Sequence, residues 1–113
     1  MNRDYTIFLK DILESMKLVE EYVDGLDFEE FKKDQKTVDA VVRNIEIIGE
    51  ATKRIPQDVK DDFSQIPWKE MAKMRDKMIH GYFTIVHEIL WMTANHDIPE
   101  TKPLIKEMLE ELE

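Results

Sequence analysis

The chain contains no cysteine in 113 residues, which excludes disulfides and thiolate metal sites together. Glycine occurs three times and proline four. With turn-formers this scarce and β-branched runs short, the composition favours helix over sheet. No apolar run is long enough to span a bilayer, and the opening Met1-Asn2-Arg3-Asp4-Tyr5 has no apolar signal core. The expectation is a cytoplasmic protein with no membrane contact. Basic residues are in deficit as well: 16 Lys and Arg stand against 25 Asp and Glu, for a net charge of -9. Nonspecific affinity for phosphates comes mostly from Lys and Arg, so the charge argues against a general nucleic-acid binder. Any action on RNA has to use a local basic patch or a partner. Lys69, Lys73, Arg75 and Lys77 supply such a patch against Glu70 and Asp76. The acidic excess lies elsewhere, notably in Glu107, Glu110, Glu111 and Glu113 at the end, which read as a solvated helix face.

What is present fits a small helical domain. Hydrophobic residues make up 42% and charged residues 36%, enough for a modest core under a charged surface. Residues 1–113 are read as one domain, an all-α antiparallel four- or five-helix bundle with short connections. Tyr5, Phe8, Leu9, Ile12, Leu13, Met16, Val19 and Val23 form one apolar stripe at helical spacing, with Gly25 as its stop. Asp27 and Glu30 make a capping-box pattern for a short helix carrying Phe28 and Phe31. A second long helix over about 36–54 places Val38, Val41, Val42, Ile45 and Ile48 on its apolar side. Gly49 inside it costs about 1 kcal/mol against alanine, which implies that another helix comes close there. After Pro56, residues 57–63 make a helical turn or loop. A third long helix opens at Ile66-Pro67-Trp68, buries Met71, Met74 and Met78, and stops at Gly81. A further helix begins at Phe83 or Thr84 and runs to about Asn95. Pro99 and Pro103 bracket the start of the last one, with Leu104, Ile105, Met108, Leu109 and Leu112 inward.

The chemistry concentrates in Arg75-Asp76-Lys77-Met78-Ile79-His80-Gly81-Tyr82. A permanent guanidinium can clamp a phosphate, and an imidazole can move a proton near neutral pH. His80 as base would deprotonate a ribose 2′-OH, and the alkoxide would attack the adjacent phosphorus. Arg75 would stabilise the charge growing on the nonbridging oxygens. The product would be a 2′,3′-cyclic phosphate, DNA would be inert for want of the 2′-OH, and no metal or other cofactor is needed. Asp76 and His80, four apart on a helix, would share a face, so the carboxylate could hold the imidazole's tautomer. Arg75 and His80, five apart, would diverge by about 140° on an ideal helix. Convergence then requires a long reach, a distorted last turn, or a dimer in which one chain's Arg meets the other's His. His80, His87 and His96 do not have metal-ligand spacing.

Plainer roles fit the same residues. An Arg, an Asp and a His at a helix end also suit capping and surface ion pairs. Tyr82 suits a core or rim aromatic, the methionines suit core filling or a dimer surface, and Trp68 and Trp91 suit packing anchors. Glu46 and Glu50, four apart on the second long helix, read as a solvated or salt-bridged face, with Glu50 beside Gly49 able to look into a groove.

Arg75-x4-His80-x-Tyr82 resembles the RX4HXY signature of HepT-like toxins in the HEPN superfamily, and Asp76 matches the polar residue favoured after the Arg. The likeness extends to Ile48-Gly49-Glu50-Ala51, to Ile66-Pro67-Trp68-Lys69-Glu70 followed by Met74-Arg75, to Ile89-Leu90-Trp91, to Phe31-x2-Asp34 and to Asp39-Ala40, nearly the whole chain. The resemblance implies a HEPN bundle acting as a homodimer with its active site in the interface cleft. It implies a metal-independent endoribonuclease toxin of a type VII toxin-antitoxin system, with Arg75 and His80 catalytic, Asp76 supporting, and RNA, such as tRNA or mRNA, as substrate. The implied partner is an MntA-like minimal nucleotidyltransferase antitoxin that transfers AMP from ATP to Tyr82. The alternative within the superfamily is a non-catalytic module that binds a nucleotide or the nucleotidyltransferase; a plain structural dimer is a third. Family members often carry Asp after the motif where this chain has Val86, with Thr84 as the candidate replacement cap and His87 less usual beside it.

Overall fold

The stripe of the first helix is buried as its spacing requires. A computed structural model describes residues 5–80 and 84–113, without the side chains of Ile79 and His80. Helix α1 (Tyr5–Val23) buries Leu9, Ile12, Met16, Val19 and Val23. It ends before Gly25, whose φ of 79° is the left-handed conformation that glycine adopts without a Cβ clash. Asp27 then caps α2 (Phe28–Lys33) reciprocally: the Glu30 N–H donates to the Asp27 carboxylate at 2.8 Å, and the Asp27 N–H donates to the Glu30 carboxylate at 2.9 Å. Asp34 ends α2 and starts α3 (Gln35–Lys53), accepting from the Thr37 N–H at 3.2 Å and the Thr37 hydroxyl at 2.8 Å. These bonds hold its carboxyl below the usual carboxylate range, the Thr37 hydroxyl contributing most.

Helix α3 is the central support. It packs along α1 and against the following short helices, burying Val38, Val41, Ile45 and Ile48. Its buried polar groups are satisfied within the helix, Thr52 by the Ile48 carbonyl at 2.7 Å and Asn44 by the Ala40 carbonyl at 2.9 Å. The turn expected after Pro56 is a helix, α4 (Gln57–Asp62). Trp68 ties it to the next element by donating its indole N–H to the Phe63 and Lys60 carbonyls at 3.1 and 3.2 Å. Phe31 is fully buried, and its ring lies 5.1 Å from that of Trp91.

Four expectations need correction. The third long helix is two pieces, α5 (Trp68–Ala72) and α6 (Met74–Met78). The break is a tight turn at Lys73, whose N–H reaches back to Glu70 while its carbonyl accepts from Asp76 at 3.0 Å. Next, α6 ends at Met78 and does not run on to Gly81. The Met78 carbonyl accepts from the Val86 N–H at 2.7 Å, and β1 (Ile79–His80) pairs antiparallel with β2 (Thr84–Ile85). The β-branched Ile79, Thr84 and Ile85 suit this hairpin. The all-α bundle therefore carries one two-stranded ribbon among its described residues. Third, the following helix starts at His87, not at Thr84. Helix α7 (His87–Met92) has Val86 as its N-cap with no side-chain cap bond, so Thr84 does not replace the missing Asp.

Helix α7 does not end near Asn95 either. It passes through a π-helical turn (Thr93–Asp97) directly into α8 (Ile98–Leu112). The Ile98 N–H bonds to the Thr93 carbonyl, one residue further back than in an α-helix. This widened turn precedes Pro99, which has no N–H to continue the ordinary ladder. Ile105, Met108 and Leu109 of α8 face the core as expected. Among the described residues no helix is long and apolar enough to cross a membrane.

Gly49 explains itself in this arrangement. A Cβ built there would sit 3.5 Å from the Ala72 carbonyl oxygen and 3.7 Å from that of Met71. The end of α5 thus lies directly on α3, at a distance that still admits a methyl group. Gly49→Ala should fold normally and gain up to about 1 kcal/mol from helix propensity. Gly49→Leu should lose about 1–3 kcal/mol by pushing α5 away. Urea unfolding of both variants checks this, and equal damage from the two would contradict the described spacing. Asp34 gives a second expectation. Its folded pKa is depressed, so its contribution is present above the unfolded value near 3.8 and is lost as pH falls through the lower folded value. The stability advantage of wild type over Asp34→Asn should therefore be present at neutral pH and vanish at the acid end of an unfolding series. An undiminished advantage there would contradict it.

Candidate active site

Two methionines hold the motif helix in place. Met74 and Met78, four residues apart, share one face of α6 and are buried, Met78 completely. The residues between them, Arg75, Asp76 and Lys77, are left exposed. The Arg75 side chain is 51% exposed and the Glu46 side chain 34%, and the Arg75 Nε–H donates to Glu46 Oε2 at 3.2 Å. The pair joins α6 to α3 just beyond the place where α5 rests on Gly49.

Arg75 opens onto a groove of about 350 Å³ between α1, α3 and α6. Its walls carry three guanidiniums, Arg43, Arg54 and Arg75, and three carboxylates, Asp11, Glu46 and Glu50. The Arg54 guanidinium lies 5.9 Å from the centre of the Phe8 ring, a cation–π contact at the groove's edge. In a chain of net charge -9 this wall is locally balanced, with three groups of each sign. The reading of Glu46 and Glu50 as a salt-bridged face holds: Glu50 pairs with Lys53 at 3.4 Å, and Glu46 pairs with Arg75. That Arg75 is the partner of Glu46 was not legible, because the two lie 29 residues apart and only the folded position of α6 joins them.

The other sequence candidates are distributed as follows. His80 sits in β1 with its backbone registered against Thr84, and its side chain lies outside the described residues. Tyr82, and Gly81 as a helix stop, lie outside them too. Asp76 is exposed on α6. The argument that put Asp76 and His80 on one helical face does not hold, since the helix stops two residues before His80. The same early stop frees His80 from the 140° divergence, because the chain turns into a strand between Arg75 and His80. His96, in the π-helical turn, has its pKa raised by its 3.0 Å hydrogen bond to Asp97, with Glu100 adding to the effect. It is exposed, and none of the groove residues named above comes from its helix. Among the described residues, no three His, Asp or Glu side chains gather as a metal ion requires.

Comparison with known proteins identifies the family. The profile of the ribonuclease HepT-like family matches residues 12–108. A Thermococcus cleftensis protein named as a probable ribonuclease HepT is 49% identical over 102 residues, covering 90% of this chain and 93% of that protein. A Methanocaldococcus jannaschii protein named as a candidate RNase is 43% identical over 111 residues, covering 98% of this chain and 92% of its own length. A similarly named protein of Caldanaerobacter subterraneus subsp. tengcongensis is 44% identical over 103 residues, covering 91% and 92%. No solved structure gives a significant match. With the bundle, the motif and these matches in agreement, the chain belongs to the HepT-like ribonuclease family.

Proposed function

We propose that the protein is a metal-independent endoribonuclease toxin in which Arg75 and His80 carry the chemistry. The observation that supports this most is the placement of Arg75. It stands half-exposed on a helix pinned by two buried methionines, at the edge of a groove, with the strand bearing His80 starting one residue after that helix ends. In the proposed reaction, His80 accepts the proton of a ribose 2′-OH. The 2′-oxygen bonds to phosphorus as the bond to the 5′-oxygen breaks, and that oxygen leaves with a proton returned by the imidazolium or water. Arg75 neutralises charge on the nonbridging oxygens as it builds. The products are a 2′,3′-cyclic phosphate and a 5′-hydroxyl.

A homodimer places two such motifs in one cleft, and RNA entering it meets both. The proposed partner is a minimal nucleotidyltransferase of the MntA type. The Tyr82 phenol would attack the α-phosphorus of ATP, taking AMP and releasing pyrophosphate. A bulky anion two residues from His80 would occupy the phosphate position and repel RNA. The ion pair with Glu46 favours one competing reading. A guanidinium already neutralised by a carboxylate also suits a non-catalytic module that docks a nucleotide or the nucleotidyltransferase.

Cleavage of tRNA and mRNA in EDTA separates the two. Wild type should cleave, and Arg75→Ala and His80→Ala should each lose about 100-fold or more in rate. Equal cleavage by the variants would mark contamination, and a stable complex with the nucleotidyltransferase without any cleavage would favour the docking module. Co-expression with that partner should add the mass of AMP, or a multiple of it, at Tyr82. An unchanged intact mass would remove the proposed mode of neutralisation.

A further inference from the structure

We propose that Glu46 is a positioning residue for Arg75: its carboxylate holds the guanidinium side-on, so that the outer edge of the group faces an incoming phosphate. The inference rests on the assignment of Arg75 to the reaction. Arg75 is a long side chain on a five-residue helix, and half of it is in solvent. Unrestrained, it would sample many rotamers, and a phosphate would have to select the productive one. Glu46 is the better-anchored of the two. It projects from the 19-residue α3 next to the fully buried Ile45, and two residues before the fully buried Ile48. Its side chain is two-thirds covered.

The atom used is informative. The contact is from Nε, the inner nitrogen, to Glu46 Oε2 at 3.2 Å. A guanidinium bound at Nε keeps its terminal Nη1–Nη2 edge as a two-pronged donor, the geometry that matches two oxygens of one phosphate. Exposed ion pairs add little to stability, so the consequence of this one lies in orientation. Sequence distance argues the same way. The pair joins residues 29 apart, brought together where α5 lies on Gly49 and the turn at Lys73 aims α6. The guanidinium is therefore set by the fold and not by its own helix.

A carboxylate on a phosphate-binding arginine could instead act as a plug, competing with substrate, and the two roles predict opposite results. Glu46→Ala, Glu46→Gln and wild type are compared in single-turnover RNA cleavage and in binding of a non-cleavable 2′-deoxy oligonucleotide. For positioning, Glu46→Ala should cleave about 10- to 100-fold more slowly while binding the oligonucleotide at least as well, because one negative charge is gone. Glu46→Gln keeps an oxygen that accepts from Nε and should recover most of the rate, a rescue that a purely structural role does not predict. Cleavage by Glu46→Ala at or above the wild-type rate overturns the proposal. A readout independent of activity is the Arg75 Nε–Hε NMR signal, expected to be sharp and protected from exchange in wild type and Glu46→Gln and lost in Glu46→Ala. If wild type does not cleave, the ribonuclease assignment fails. The signal then decides separately whether Glu46 fixes Arg75, and its persistence in Glu46→Ala overturns that.

Discussion

The close approach of α5 to Gly49 is the constraint from which the rest of the site follows. Two carbonyl oxygens at the end of α5 lie 3.5 and 3.7 Å from where a Cβ would stand, so α5 rests on the backbone of α3 without a side chain between them. The turn at Lys73 then launches α6 along the same support. Met74 and Met78 bury one face of α6 and leave Arg75 on the other. Neither burial nor charge alone places the guanidinium. The contact at Gly49 fixes the height of α6, the methionines fix its rotation, and Glu46 meets what results. A chain with a large residue at 49 would keep the Arg75 and Glu46 side chains and lose the support that brings them together.

The end of α6 matters as much as its start. Had the helix continued to Gly81, Arg75 and His80 would have projected about 140° apart. Capture of the Met78 carbonyl by Val86 ends the helix and turns the chain into a short ribbon. Both motif residues thereby flank a change of secondary structure, where the 100° step per residue no longer governs direction. Of the ways sequence alone allowed the pair to converge, distortion of the last turn is present within one protomer. A homodimer remains compatible with it.

Long-range order was legible in the sequence wherever burial repeats. The α1 stripe, the capping box at Asp27, the α3 face and the inward methionines follow from spacing and capping chemistry that any local window displays. The failures fall where backbone hydrogen bonding departs from the α-helical ladder, at the tight turn of Lys73 as well as further along the chain. The helix stop depends on Val86, eight residues after Met78, and the fusion of α7 with α8 depends on a π-helical turn that accommodates Pro99. A proline after a polar stretch ordinarily signals a break, and nothing local reveals that the ladder steps back one residue and continues. In the site, local spacing pairs Glu46 with Glu50, whereas the fold pairs it with Arg75, 29 residues away.

Family membership, an exposed arginine held by a carboxylate, and a histidine carried on a strand and not on the helix support the proposed account, in which a fixed cation and a proton acceptor act on an RNA phosphodiester without a metal. The most direct measurement is the chemistry of the cut ends, made in EDTA on an RNA with a single cleavage position and on the same RNA with a 2′-deoxynucleotide there. The account predicts a 2′,3′-cyclic phosphate and a 5′-hydroxyl from the first and no cleavage of the second. A 3′-hydroxyl and a 5′-phosphate, or undiminished cleavage of the 2′-deoxy substrate, would contradict it.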